Sequence, residues 1–110
     1  MDYGWEYVDV RGWANAYIEK LLKGETVQFR PRGNSMAPRI KSGQRVTVEP
    51  VKEVREGDVV LCQVKGKQWL HLVTAIMFGQ GRVQISNNKG RVNGWTTRDK
   101  IYGVVTKVED

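Results

Sequence analysis

Cysteine and histidine occur once each in this sequence, at Cys62 and His71. A single cysteine excludes an internal disulfide, and one of each cannot assemble an ordinary structural zinc site. We expect no metal and no cofactor. In VVLCQVK the cysteine lies in an apolar alternation, the setting of a small buried filler and not of a reactive thiol. Apolar runs are short: none approaches the ~20 residues that span a bilayer, and the opening MDYGWEYVDV lacks the basic start and apolar middle of a secretion signal. The expectation is a chain without a membrane anchor, located in the cytoplasm. Acids are absent between Thr26 and Val48 and again between Val59 and Arg98, whereas Arg30, Arg32, Arg39, Lys41 and Arg45 crowd the first of these stretches. The net charge of +6 is therefore lopsided, which favours an acidic partner, an acidic substrate segment or nucleic acid. No nucleic-acid motif is visible, so nucleic acid is the less favoured partner.

What is present fits one domain of 110 residues, with residues 1–24 as an N-terminal segment and helix and 25–110 as a β-rich core. From Val10 the apolar residues Trp13, Ala14, Tyr17, Ile18, Leu21 and Leu22 recur at helical steps and predict a helix from Val10 to Lys23. Asp9 suits its N-cap and Gly24 its stop. The period then changes to two. Strands are predicted near Thr26–Arg30, Gln44–Glu49, Asp58–Lys65, Gln68–Ile76, Arg82–Ser86 and Ile101–Val108, with turns at Lys65-Gly66-Lys67, Gly79-Gln80-Gly81 and Asn93-Gly94. The fold class that results is mainly β with one N-terminal helix: a bent, mostly antiparallel sheet or a small, partly open barrel. Nothing in the sequence fixes an oligomeric state.

The chemistry centres on RGNSMAPRI, residues 32–40, where glycine frees the backbone and proline fixes it, leaving Ser35 on a constrained bend. Such a cluster is first of all a turn signal. In QWLHLVTAI, alternation puts Trp69, His71, Val73 and Ala75 on one face and Leu70, Leu72, Thr74 and Ile76 on the other. A lone strand histidine is commonly a packed structural residue. It is also the one side chain here whose ordinary pKa lets it take a proton from a serine hydroxyl near neutral pH.

Five segments in order, GNSMAP, IKSGQRVTV, EGDVVLCQVKGKQWLHLV, ISNNKGRVNGW and IYGVV, resemble the boxes of the signal-peptidase and LexA-like serine peptidase superfamily over about Phe29 to Val105. The resemblance implies a stand-alone bacterial or phage-encoded peptidase with Ser35 as nucleophile and His71 as general base, where many members use lysine. Archaeal and endoplasmic-reticulum signal peptidases are similar in using histidine. It implies an oxyanion hole at the turn Gly33, Asn34, Ser35 and Met36, built from backbone N–H groups because Gly33 stands where some relatives carry a serine. It also implies a protein or peptide substrate bound as an added β-strand between 29–33 and 68–70, with Phe29, Arg30, Arg32, Trp69 and Leu70 contacting it. Arg30 and Arg32 predict a preference for acidic residues near the scissile bond.

The sequence also departs from the pattern. The first Gly-Asp reads Gly43-Gln44, and the terminal Gly-Asp-Asn-Asn reads Ile85-Ser86-Asn87-Asn88. Where histidine-using relatives orient their base with an aspartate, this chain has Lys89, Gly90, Arg91, Val92 and Asn93. The residues left to orient His71 are Asn93, Asn88 and Asp99, and a bare dyad is the alternative. The expected enzyme is slow. Two other functions compete with it: a binding module that keeps the groove without turnover, and a basic β-domain whose four tryptophans stack on single-stranded nucleic acid.

Overall fold

The structure, a computed structural model, describes residues 12–110. Helix α1 spans Asn15–Leu22, shorter than the periodicity predicts; Val10 and the expected cap Asp9 lie outside the described residues. Gly12 delays the helix. Its φ of +113° is a left-handed value, and a Cβ there would lie 2.3 Å from Oε1 of Gln68. The same Gln68 caps the helix from another element: its Oε1 accepts the Ala14 N–H at 2.7 Å and its amide donates to Asn15 Oδ1. At the far end Gly24, φ +87°, takes the chain out of the helix as expected. Ala14, Ile18 and Leu21 are buried, with Trp13 and Tyr17 packed beside them. Leu22, placed in the same stripe by spacing, is 71 % exposed. It lies about 100° round the helix from Leu21, and the sheet meets the 14–18–21 line instead.

Among the described residues seven strands follow: β1 Val27–Phe29, β2 Arg45–Pro50, β3 Val59–Val64, β4 Lys67–Met77, β5 Arg82–Ser86, β6 Val92–Thr97 and β7 Ile101–Glu109. They form one antiparallel sheet in the order β1-β2-β7-β3-β4-β5-β6, so β1 and β6 are edges and the sheet does not close into a barrel. The mainly β architecture is the one expected. The β3–β4 hairpin turns through Lys65 and Gly66, both at positive φ, the geometry that matches strand twist. β3 is buried on both sides. It sends Val59 and Leu61 into a core under α1 with Val46, Val48 and Phe29, and Val60, Cys62 and Val64 into a second core with Val73, Val83 and Ile85. Cys62 is fully buried, and burial pushes its thiol up to about 12, so it is packing and not chemistry.

Two register shifts correct the sequence reading. Val73 pairs with Ile85 and Ala75 with Gln84, leaving Thr74 as an extra residue in β4. The bulge inverts the alternation, so Ile76 joins Trp69 and Val73 in the second core instead of following Leu70 and Leu72. The second correction concerns Asn93-Gly94, expected as a tight turn but found inside β6. Ile85 pairs with Gly94 and Ser86 with Val92, so Asn93 is itself the bulge residue. The chain turns earlier, at 87–91, where Asn87 Oδ1 accepts the N–H groups of Lys89 and Arg91.

Gly103, in β7, lies where the sheet passes close under Leu21 of α1. A Cβ there would lie 2.6 Å from Val48 Cγ1, 2.9 Å from the Glu49 carbonyl and 3.0 Å from Leu21 Cδ1. Gly103→Ala should lower unfolding stability by about 1–3 kcal/mol, because a backbone oxygen cannot rotate away as a side chain can. Urea titration with an unchanged m-value and a lower midpoint checks this.

Candidate active site

Three elements bring three polar side chains to one place. The turn after β1 carries Ser35, the middle of β4 carries His71, and the β6 bulge carries Asn93. The Ser35 hydroxyl lies 3.0 Å from His71 Nε2, and His71 Nδ1 lies 2.6 Å from Asn93 Oδ1. An amide oxygen only accepts, so Nδ1 carries the ring proton and Nε2 offers its lone pair to the serine. The bulge is what aims Asn93 at the ring.

His71 is 4 % exposed. Burial lowers its pKa from the ordinary imidazole value, with the Asn93 hydrogen bond pulling the other way. The ring is therefore neutral at pH 7, the state a general base requires. Trp69 stacks on the imidazole, with centroids 4.8 Å apart and planes at 24°. An indole face attracts a cation, so it stabilises the ring once protonated.

The serine turn is held from both sides. Ala37 N–H donates to Asn34 O, and Ile40 N–H to Met36 O. Asn88 clamps it from the 87–91 turn: its backbone N–H donates to Ser35 O at 2.9 Å, its amide to Ala37 O at 3.1 Å, and its Oδ1 accepts Arg39 Nε at 3.1 Å. Gly33, φ +111°, opens the turn, and its N–H is already given to Ser42 Oγ at 3.1 Å. Among the described residues, no group accepts the N–H of Ser35 or Met36. Those two are available to a developing oxyanion, and the Gly33 N–H is spent.

A groove of about 1160 Å³ runs from the Ser35–His71 pair toward α1, with residues 29–33 along one wall and 68–71 along the other. Among the described residues β1 pairs only with β2, and β4 pairs with β5 from Leu72 onward. The groove sides of β1 and of residues 69–71 therefore carry no strand partner among the described residues, whereas Gln68 is tied to Trp13 and Ala14. The sequence-model for peptidase S24-like proteins matches residues 10–105. The chain belongs to the peptidase S24-like family. No curated protein matches it in sequence.

The relationship is thus to peptidases, and among the described residues no helix is long and apolar enough to cross a membrane. Of the residues expected to orient His71 in this S24-like chain, Asn93 touches the ring and the other two do not. Asn88 is occupied by the serine turn. Asp99 sits in the turn after β6, hydrogen-bonded to Thr97, which lowers its carboxyl pKa, and its charge acts on Tyr102. Of the expected substrate contacts, Arg30 and Arg32 are exposed on the groove wall, and Arg30 also donates to Gly43 O at 2.7 Å. Phe29 and Leu70 line the groove from within the first core, Phe29 stacked on Tyr17 at 4.4 Å. Trp69 lines it while stacked on the imidazole.

One contributor escaped the sequence reading: Ser42, which fixes Gly33. Lys41, expected only as part of a basic stretch, lines the groove, and Gln68, expected only as the start of the 68–70 rail, also ties that wall to α1, its backbone oxygen accepting Trp13 Nε1 at 3.2 Å. A serine in a polar loop carries no periodic signal, and a tie between distant elements leaves none in the local sequence.

Proposed function

We propose that this chain is a serine peptidase that cleaves an extended protein segment with Ser35 as nucleophile, His71 as general base and Asn93 as the residue that orients the base. The observation that carries this reading is the aligned relay from the Ser35 hydroxyl through His71 to Asn93, at 3.0 and 2.6 Å. The substrate enters as a strand between 29–33 and 69–71, along sides of β1 and β4 that pair with no other strand among the described residues. Ser35 Oγ attacks the scissile carbonyl as His71 Nε2 takes its proton. The oxyanion lies against the N–H groups of Ser35 and Met36. The imidazolium then returns the proton to the leaving amine, and water activated by the same ring releases the acyl group.

A fluorophosphonate probe tests the reading. Covalent labelling of native protein at Ser35, located by peptide mass mapping and abolished by Ser35→Ala, is the expected result; no labelling and no proteolysis would refute it. One observation favours a second reading, a peptide-binding module without turnover: the group behind His71 is a neutral amide, which stabilises an imidazolium less than a carboxylate does. Peptide binding without labelling would select that reading.

A further inference from the structure

Among the described residues, the wall formed by residues 30–33 has one side already used and one side without a main-chain partner. Pro31 O accepts the Gly43 N–H at 2.9 Å, and Gly33 N–H goes to Ser42 Oγ. In an extended chain the polar groups of successive residues point to opposite sides, so the main-chain groups of Arg30 and Arg32 point into the groove. Their side chains share one face as well, because side chains alternate with period two. That face is solvent-exposed, whereas Phe29, on the other face, is buried in the first core. The Arg30 guanidinium is anchored by its bond to Gly43 O, and Lys41 adds a third cation to the lining. Among the described residues no carboxylate lines the groove.

A strand added along this wall puts every second side chain beside the two arginines and the intervening one toward Met36 and Leu70, both buried and groove-lining. Two residues of extended chain span about 6.6 Å on either strand, so one arginine faces one substrate position and the next faces the position two along. We propose that the groove selects a peptide with acidic residues at alternate positions around an apolar one, acid–apolar–acid, read by Arg30 and Arg32. This refines the peptidase reading by naming its substrate class, but the binding it describes does not require turnover.

The test uses Ser35→Ala protein, in which cleavage falls to the residual rate, and three fluorescein-labelled alanine-based octapeptides whose centres read Glu-Leu-Glu, Gln-Leu-Gln and Glu-Glu-Leu. Exposed ion pairs are individually weak, so the two together should make Glu-Leu-Glu bind roughly ten-fold tighter than Gln-Leu-Gln in 50 mM salt. Glu-Glu-Leu, with one acid on the wrong face, should fall between. The advantage should shrink in 0.5 M salt and in Arg32→Gln, whose exposed side chain the fold does not need. Equal affinity for the three peptides, an advantage insensitive to Arg32→Gln, or no binding of any peptide at millimolar concentration overturns the proposal. Fluorophosphonate labelling of unmodified protein separates the outcomes. Labelling with acid-indifferent binding removes this inference and leaves the peptidase; acid-selective binding without labelling does the reverse.

Discussion

His71→Ala should slow acylation of Ser35 by a fluorophosphonate by at least about 10³-fold, the scale on which a nucleophile loses its general base. Among the described residues the hydroxyl has one basic nitrogen within hydrogen-bond reach, at 3.0 Å, and without it the proton must leave to water. Ser35→Ala, His71→Ala and the double variant should share one residual rate of peptide cleavage, since residues that act as a unit do not contribute additively. The pH profile gives the same dependence a sign. His71 must be neutral to act, and burial lowers its pKa. The rate should therefore be flat through pH 7 and fall about ten-fold per unit only below an inflection under the ordinary imidazole value. The thermal midpoint of His71→Ala, measured alongside, separates lost chemistry from lost fold. A His71→Ala protein that folds and labels at the unmodified rate would remove the base from the mechanism.

How far the sequence foretells this site depends on which physical signal each part leaves. Ser35 and His71 are legible because a Gly-Asn-Ser-Met-Ala-Pro bend and an alternating strand are local patterns, and the order of the surrounding boxes ties them together. Strands β1 to β5 and β7 are legible for the same reason. Asn93 is legible only as a name among three. Its role depends on β6, which hides because Asn-Gly is the strongest short signal for a hairpin turn. Gly94 instead sits in the strand at φ +143°, where a Cβ would come within 3.2 Å of Val64 Cγ1. The glycine thus serves a close approach to β3, and the turn passes to Asn87. A signal for β6 was available in Val92 and the run Trp95-Thr96-Thr97, rich in strand-forming types. The late start of α1 has a non-local cause too, since Gln68, more than fifty residues on, decides where the helix is capped. Local periodicity registers neither a bulge nor a tertiary cap.

Asn93→Asp should turn the weakest feature of the site into its strongest. The substitution keeps an oxygen beside Nδ1, at 2.6 Å in the present structure, and adds a full negative charge. A carboxylate at that range raises an imidazole pKa by roughly one to three units, so the inflection in the labelling rate should move upward by at least one. Above that inflection the imidazolium formed in the transition state gains a counter-charge, and cleavage should speed up about ten-fold or more. Asn93→Ala should do the opposite, slowing the reaction by about ten- to a hundred-fold as the ring loses its fixed tautomer. Stability supplies a readout that catalysis does not touch. In the unmodified chain the folded pKa of His71 lies below its unfolded value, so the contribution of the neutral ring is complete above the unfolded pKa and is lost as pH falls through the folded one. In Asn93→Asp the folded pKa lies above the unfolded value, so the contribution of the charged pair is complete below the unfolded pKa and is lost as pH rises through the folded one. The difference in melting temperature between the two proteins should therefore change steadily between pH 5 and 8 in favour of the unmodified chain. A difference that stays constant across that range, together with an unmoved inflection, would mean that residue 93 does not bear on the ring.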